Sequence, residues 1–153
     1  MMEGSGALGV VLIGVPFGVL LGVGLYTFGY ARGYSYLLDE PEVCVNCHVM
    51  QQQYDSWLRS SHRQAAVCND CHTPHSLAPK YLTKAVNGFN HSAAFTTGRF
   101  PDQIRIKARN RRLAEQACLR CHEEITAAIR APHQAGDESF SCLACHASAG
   151  HAH

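Results

Sequence analysis

The sequence predicts a mainly α-helical chain, with one N-terminal membrane-spanning helix and a small domain of short helices and loops in two related halves. Three observations support this prediction. No Asp, Glu, Lys or Arg occurs from Gly4 to Ala31, one five-residue motif occurs four times after that stretch, and strand signals are few. At 153 residues, the chain has room for about one domain besides the membrane segment.

The five-residue motif has the form C-x-x-C-H, and its four copies use all eight cysteines. It is the attachment signature of c-type haem: two thiols bond to one porphyrin, and the following His can ligate the iron. Zinc sites, redox dithiols and disulfides also use C-x-x-C, but none requires His after the second Cys every time. The predicted attachment residues are Cys44 with Cys47, Cys68 with Cys71, Cys118 with Cys121, and Cys142 with Cys145; the motif histidines are His48, His72, His122 and His146.

The fold class is therefore a mainly α, small multihaem cytochrome c with a transmembrane anchor. Four covalent haems in roughly 120 residues would form the core themselves, so we expect no folded domain without them. The predicted organisation is an N-terminus at 1–6, an anchor at 7–30, a linker at 31–43 and a tetrahaem domain at 44–153, with di-haem halves at 44–75 and 118–151.

The segment from Ala7 to Tyr30 is long enough to cross a bilayer, which takes about 20 apolar residues. A cleaved signal peptide is the alternative, but the chain lacks a basic region before this segment. Gly14, Gly18 and Gly22 recur every fourth residue, as in helices that associate in membranes, so we predict possible self-association through them. Since c-type haem is attached outside the bacterial inner membrane, the N-terminus is predicted to be cytoplasmic and the haem domain periplasmic.

Helical patterns cover 49–61, 79–97 and 101–130, with interruptions expected at Gly88 and Gly98. A basic run lies around the start of the third pattern. It could neutralise haem propionates, form a solvated helix face or dock an acidic partner; nucleic acid is not expected. The run consists of Arg99, Arg105, Lys107, Arg109, Arg111 and Arg112.

The motif spacing indicates a duplication, because Cys44 to Cys68 and Cys118 to Cys142 are both 24 positions. Each half also carries one His between its motifs, His62 and His133, which is the recurrence that a second axial ligand would produce. His91 and His151 are the other candidate distal ligands, and His75 and His153 are weaker ones.

The first motif differs from the others because it continues to Met50, giving C-x-x-C-H-x-M. A thioether ligand raises the reduction potential of a haem relative to nitrogen ligands. The alternative is a Met that fills a gap in the core.

These residues resemble the NapC/NirT family of membrane-anchored tetrahaem quinol dehydrogenases, and most closely the small-subunit type of cytochrome c nitrite reductase complexes. The resemblance rests on the anchor, the 44–50 motif, Ser60-Ser61-His62, Lys84 with the 88–92 segment, and the last motif followed by His151. It implies that Met50 can replace His48 as axial ligand of the first haem. It also implies that Lys84 and His91 lie beside that haem at a quinol site. Some relatives carry an acidic residue at the position of His91, so His91 is either a distal ligand or a proton acceptor here.

The resemblance implies a cytochrome that oxidises menaquinol from the membrane quinone pool and passes electrons to a periplasmic multihaem partner, expected to be the catalytic subunit of nitrite reductase. In some relatives that partner supplies a lysine ligand. One alternative is a general electron relay serving other periplasmic reductases. Another is a terminal enzyme that reduces a small oxidant at an open haem, which the number of candidate distal ligands disfavours.

Overall fold

The structure is a computed structural model that describes residues 3–130 and 141–151, with side-chain exposure described from residue 7 onward. All regular elements in these ranges are helical, which confirms the predicted fold class. The chain separates into two compact units, residues 1–35 and 36–153. The predicted ligand His133 and the weaker candidate His153 lie outside the described residues.

The first unit is dominated by helix α1, Glu3–Tyr30, which includes Pro16. Its segment Ala7–Tyr30 is long and apolar enough to cross a membrane, and none of its most apolar window is buried against the protein. A helix that is apolar on all sides requires an apolar surround, because only then are its side chains removed from water. A Cβ at Gly14, Gly18 or Gly22 would have no atom within 4 Å, so self-association through these glycines stays a prediction.

The second unit begins with short 3₁₀ segments that lead into the first motif. Residues Pro41–Asn46 and His48–Met50 are 3₁₀ turns separated by the extended Cys47, and helix α2 follows at Gln51–Leu58. The Trp57 indole donates a hydrogen bond to the Ala66 carbonyl at 3.0 Å, which holds the end of α2 against the chain entering the second motif. The second motif, Cys68–His72, forms the short helix α3.

Helix α4, Leu77–Thr97, runs through Gly88 without a break, so the interruption predicted there is wrong. A glycine inside a helix costs free energy relative to alanine but does not end the helix when its neighbours pack. Gly98 does end α4: it has a φ of 64° and forms the left-handed cap that favours glycine. The third helical pattern is also shorter than predicted, because α5 starts at Ala108 rather than Pro101 and ends at Arg130.

Helix α5 organises the second unit, since it packs against both α3 and the short helix α6, Cys142–Cys145. Among the described residues, the only apolar side chains buried by protein atoms are Ala114 and Ala117, both on α5. Polar side chains such as Thr83 and Lys84 are buried as well. Side-chain packing alone therefore provides a very small apolar core, as expected for a domain whose core includes prosthetic groups.

Candidate functional site

Three of the four motifs adopt helical conformations that place their two thiols on one face. The second motif is α3, the third lies inside α5, and the fourth begins α6 with His146 at its end. Residues three apart on a helix are neighbours, so both thiols of a motif can reach one porphyrin edge. The first motif is different because extended Cys47, with φ −94° and ψ 105°, separates its 3₁₀ turns.

The motifs lie next to one another in the order of the sequence. Cys44 and Cys68 are close neighbours, which places the first motif beside the second. Arg120 of the third motif donates to the Asp70 carbonyl of the second. Cys118 and Cys142 are close enough to interact electrostatically, which places the fourth motif beside the third. Each motif therefore lies beside the next one along the chain.

Two motif histidines face candidate distal histidines at a distance that fits a haem iron between them. The ring centroids of His72 and His151 are 6.0 Å apart, and those of His62 and His122 are 6.1 Å apart. Two imidazoles that ligate one iron from opposite sides, each through a nitrogen about 2 Å away, place their centroids roughly 6 Å apart. The residues present therefore fit haem at the second and third motifs.

The second ring nitrogen of each distal histidine is also held. His62 Nδ1 lies 3.0 Å from the Ala149 carbonyl oxygen, and His151 Nδ1 lies 3.0 Å from the Gln53 carbonyl oxygen. A carbonyl can only accept, so Nδ1 carries the proton and donates, which leaves Nε2 free to ligate. Burial and the neighbouring His151 lower the pKa of His72 to about 4, which keeps its imidazole in the neutral form that a metal requires.

These pairs cross between the two di-haem halves. His62 belongs to the first half and faces His122 of the second, while His151 belongs to the second half and faces His72 of the first. The hydrogen bonds from His62 to Ala149 and from His151 to Gln53 also join one half to the other. Sequence reasoning predicted both distal histidines but not this exchange.

The other predicted ligands are less constrained. His48 and Met50 share one 3₁₀ turn, so both remain candidates for the first haem. His75 contacts Asp70, with 3.3 Å between His75 Nε2 and Asp70 Oδ1. Among the described residues, no group of three or more His, Cys, Asp or Glu is arranged to hold a metal ion by itself. None of the eight cysteines forms a disulfide.

The predicted quinol residues Lys84 and His91 lie two turns apart on one face of α4. Lys84 is only 3% exposed, and its ammonium donates to the Leu37 carbonyl at 3.1 Å, the Leu38 carbonyl at 2.7 Å and Asp39 Oδ1 at 2.9 Å. Its three protons are thus all used within the protein. The His91 ring meets the Tyr36 ring edge-on, with 6.3 Å between centroids.

Asp39 is the charged partner of the buried Lys84 ammonium. Its carboxylate accepts hydrogen bonds from Lys80, Lys84 and Asn69, and these donors, Lys80 first, lower the pKa of Asp39 to about 2. A carboxyl group with so low a pKa is a poor proton acceptor near neutral pH. Asp39 therefore acts as a counter-ion for Lys80 and Lys84, and it holds the segment before the first motif against α4.

Replacing Asp39 with Asn is expected to reduce stability near neutral pH but not in strong acid. Because the folded-state pKa is lowered, Asp39 contributes stability above its usual pKa of 3.8, and this contribution is lost as pH falls toward about 2. The side chain is 47% exposed, so the difference should be only about 1 kcal/mol. Urea unfolding of both haem-loaded proteins across this pH range measures it. A difference between them that does not change with pH would contradict the ion-pair origin.

Comparison with known proteins agrees with haem attachment at the four motifs. A family model described as the NapC/NirT cytochrome c family, N-terminal region, matches residues 5–153. The cytochrome c-type protein NrfH of Wolinella succinogenes is 35% identical over 146 residues, covering 90% of this chain and 82% of that protein. The cytochrome c nitrite reductase subunit NrfH of Nitratidesulfovibrio vulgaris is 28% identical over 149 residues, covering 97% and 87%.

A solved structure is similar over nearly the same length. It is the crystal structure of a cytochrome c nitrite reductase NrfHA complex bound to the HQNO inhibitor, with a TM-score of 0.62 and 27% identity, covering 90% of this chain and 87% of that one. The family match spans the apolar N-terminal helix and all four C-x-x-C-H motifs. The chain therefore belongs to the NapC/NirT cytochrome c family, whose members are membrane-anchored and bind haem c covalently.

Proposed function

We propose that this chain is the membrane-anchored tetrahaem cytochrome that oxidises menaquinol and passes the electrons to a periplasmic cytochrome c nitrite reductase. The observation that carries the proposal is that each of the four motifs lies beside the next one along the chain, from the motif that follows the membrane segment to the one near the C-terminus. The similarity to a chain of the NrfHA complex supports the choice of partner. When bound, the haems take up and release single electrons, which links a two-electron quinol to a distant acceptor.

The proposed ligands follow from the paired histidines. His72 with His151, and His122 with His62, hold the second and third haems. His48 or Met50 holds the first haem. His146 holds the fourth, whose distal ligand is either His133 or a lysine of the partner. The haem domain is proposed to lie in the periplasm, with the N-terminus in the cytoplasm.

The proposed quinol site uses the α4 face that bears Lys84 and His91. Because the Lys84 ammonium already has three acceptors, a quinol oxygen must replace one of them on binding. His91 is the proposed proton acceptor if it is not an iron ligand. Its partial burial and the nearby Lys107 lower its pKa, so the ring is neutral and able to accept.

Mixing the oxidised, detergent-solubilised protein with a menaquinol analogue tests this function by stopped-flow absorbance. The wild type should be reduced rapidly, and Lys84→Leu should slow reduction by about tenfold or more, because a hydrogen bond from a charged group is lost. Lys80→Leu is the matched control: Lys80 also binds Asp39, but it lies one turn before Lys84 and should change the rate by less than about threefold.

Failure of wild-type reduction by quinol, in protein that dithionite still reduces fully, would overturn the proposal. The chain would then be a relay fed by another protein. Equal slowing in both lysine variants would instead show that Lys84 acts only through Asp39. Electron transfer from the reduced protein to purified nitrite reductase, followed as nitrite consumption, tests the proposed partner.

A further inference from the structure

The α4 face that bears the proposed quinol residues has a glycine, with no side chain, near its centre. Lys80, Lys84, Gly88 and His91 follow one another at intervals of four, four and three residues, so they form one stripe along the helix. Gly88 is the only member of this stripe without a side chain. The space above it is filled by the Tyr36 ring, because a Cβ at Gly88 would lie 3.2 Å from Tyr36 Cε1 and 3.4 Å from Cδ1.

The same tyrosine also contacts His91 and lies near the first motif. Its ring meets the His91 imidazole edge-on at 6.3 Å, a favourable arrangement of two aromatic rings. Cys44 and Cys47 lie close to it. Tyr36 thus lies along α4 between Lys84 and His91, on the side where the first haem is attached.

The backbone that follows Tyr36 is held against α4 by hydrogen bonds and ion pairs. The next two carbonyls, of Leu37 and Leu38, accept hydrogen bonds from the buried Lys84 ammonium, and Asp39 is bound by both lysines. A Tyr side chain has only two rotatable torsions of its own, so with this backbone held the ring position depends on those two torsions alone. Tyr36 is nevertheless 41% exposed, so a ligand can reach it.

We infer that Tyr36 is a positioning residue of the quinol site: its ring, admitted by Gly88, sets the place of the His91 imidazole beside the first haem motif. This inference rests on the proposed function. Partial burial raises the pKa of Tyr36 to about 12, so the phenol keeps its proton throughout the working pH range. The ring therefore acts through shape and not through a change of charge.

Gly88→Ala is the sharpest test, because it displaces the ring without removing it. The new methyl group requires the Tyr36 ring to shift by a few tenths of an ångström. Alanine is also a better helix former than glycine, so a functional loss would not come from a weaker α4. We expect the KM for the menaquinol analogue to rise by about tenfold, since small misplacements in a site cost rate.

Variants of Tyr36 complete the test. Tyr36→Phe keeps the ring and should stay within about twofold of wild type, whereas Tyr36→Leu should raise KM as much as Gly88→Ala does. The double variant Gly88→Ala with Tyr36→Leu should be no worse than Tyr36→Leu alone, because the displaced ring is then absent. Additive losses in the double variant would overturn the inference.

A second readout separates this inference from the proposed function. Diethylpyrocarbonate modification of His91 in the haem-loaded protein, followed by mass spectrometry, reports the exposure of its ring without any quinol. We expect faster modification in Gly88→Ala and Tyr36→Leu, and an unchanged rate in Tyr36→Phe. An unchanged His91 rate in the first two variants overturns the positioning role even if quinol reduces the protein. A changed rate without quinol reduction of the wild type supports the positioning role and overturns the proposed function instead.

Discussion

Replacing both thiols of the third motif, Cys118→Ala with Cys121→Ala, is expected to remove one haem and with it most of the folded haem domain. Helix α5 carries this motif and packs against α3 and α6, which are the second motif and most of the fourth. The described residues bury only Ala114 and Ala117 as apolar side chains, both within one turn before Cys118. Side-chain packing therefore offers little to maintain this region when a haem is lost.

The measurement combines haem per protein, from the pyridine haemochrome spectrum, with circular dichroism and limited proteolysis. Leu119→Ala is a matched control, because it changes a neighbouring position of α5 and leaves both thiols and His122 in place. We expect the control to retain all its haem and nearly all its helix. A double-cysteine variant with unchanged haem content and helicity would refute covalent attachment at this motif.

Replacing His151 with Ala is expected to convert one low-spin haem to high spin and leave the others unchanged. The reason is the 6.0 Å pairing of His151 with His72, together with the hydrogen bond from Nδ1 to the Gln53 carbonyl that leaves Nε2 free to ligate. His151→Met should instead keep that haem low-spin and raise its potential by on the order of 0.1 V, because thioether ligation favours the reduced iron. Electron paramagnetic resonance and a redox titration measure the two effects.

His75→Ala is the control for the ligand prediction. His75 also follows a motif histidine closely, but its ring nitrogen is engaged by the Asp70 carboxylate and not aimed at another imidazole. It should leave all spin states as they are. If His151→Ala and His75→Ala gave the same spectra, the ring pairing would not report ligation.

Much of the site could be predicted because haem attachment is encoded locally. Two thiols and a histidine within five residues determine where a porphyrin is bonded, whatever the rest of the chain does. The anchor was similarly predictable, since an uncharged run of this length is a local property. The helix boundaries were predicted less well: Gly88 suggested a break, but the Tyr36 ring covers the helix there, and α4 continues.

The hydrogen-bond partners of Lys84 could not be predicted from its neighbours in the sequence. The resemblance marked it as a quinol residue, but nothing near it in the sequence indicated that its ammonium would bind Leu37, Leu38 and Asp39. These partners come from a segment more than forty residues earlier, which folding brings over α4. The contact between Tyr36 and Gly88 likewise joins residues that are far apart in the sequence.

The number of haem attachment motifs, the apolar N-terminal helix and the histidines available as distal ligands all follow from the sequence alone. The pairing of each distal histidine with a motif depends on the folded chain, in which His62 and His151 each pair with a motif histidine of the other half. The physical reason is that covalent attachment depends on neighbours along the chain, whereas the sixth ligand needs only an imidazole at the right distance. That distance is set by how α3 and α5 pack and by the two carbonyls, of Ala149 and Gln53, that orient the rings.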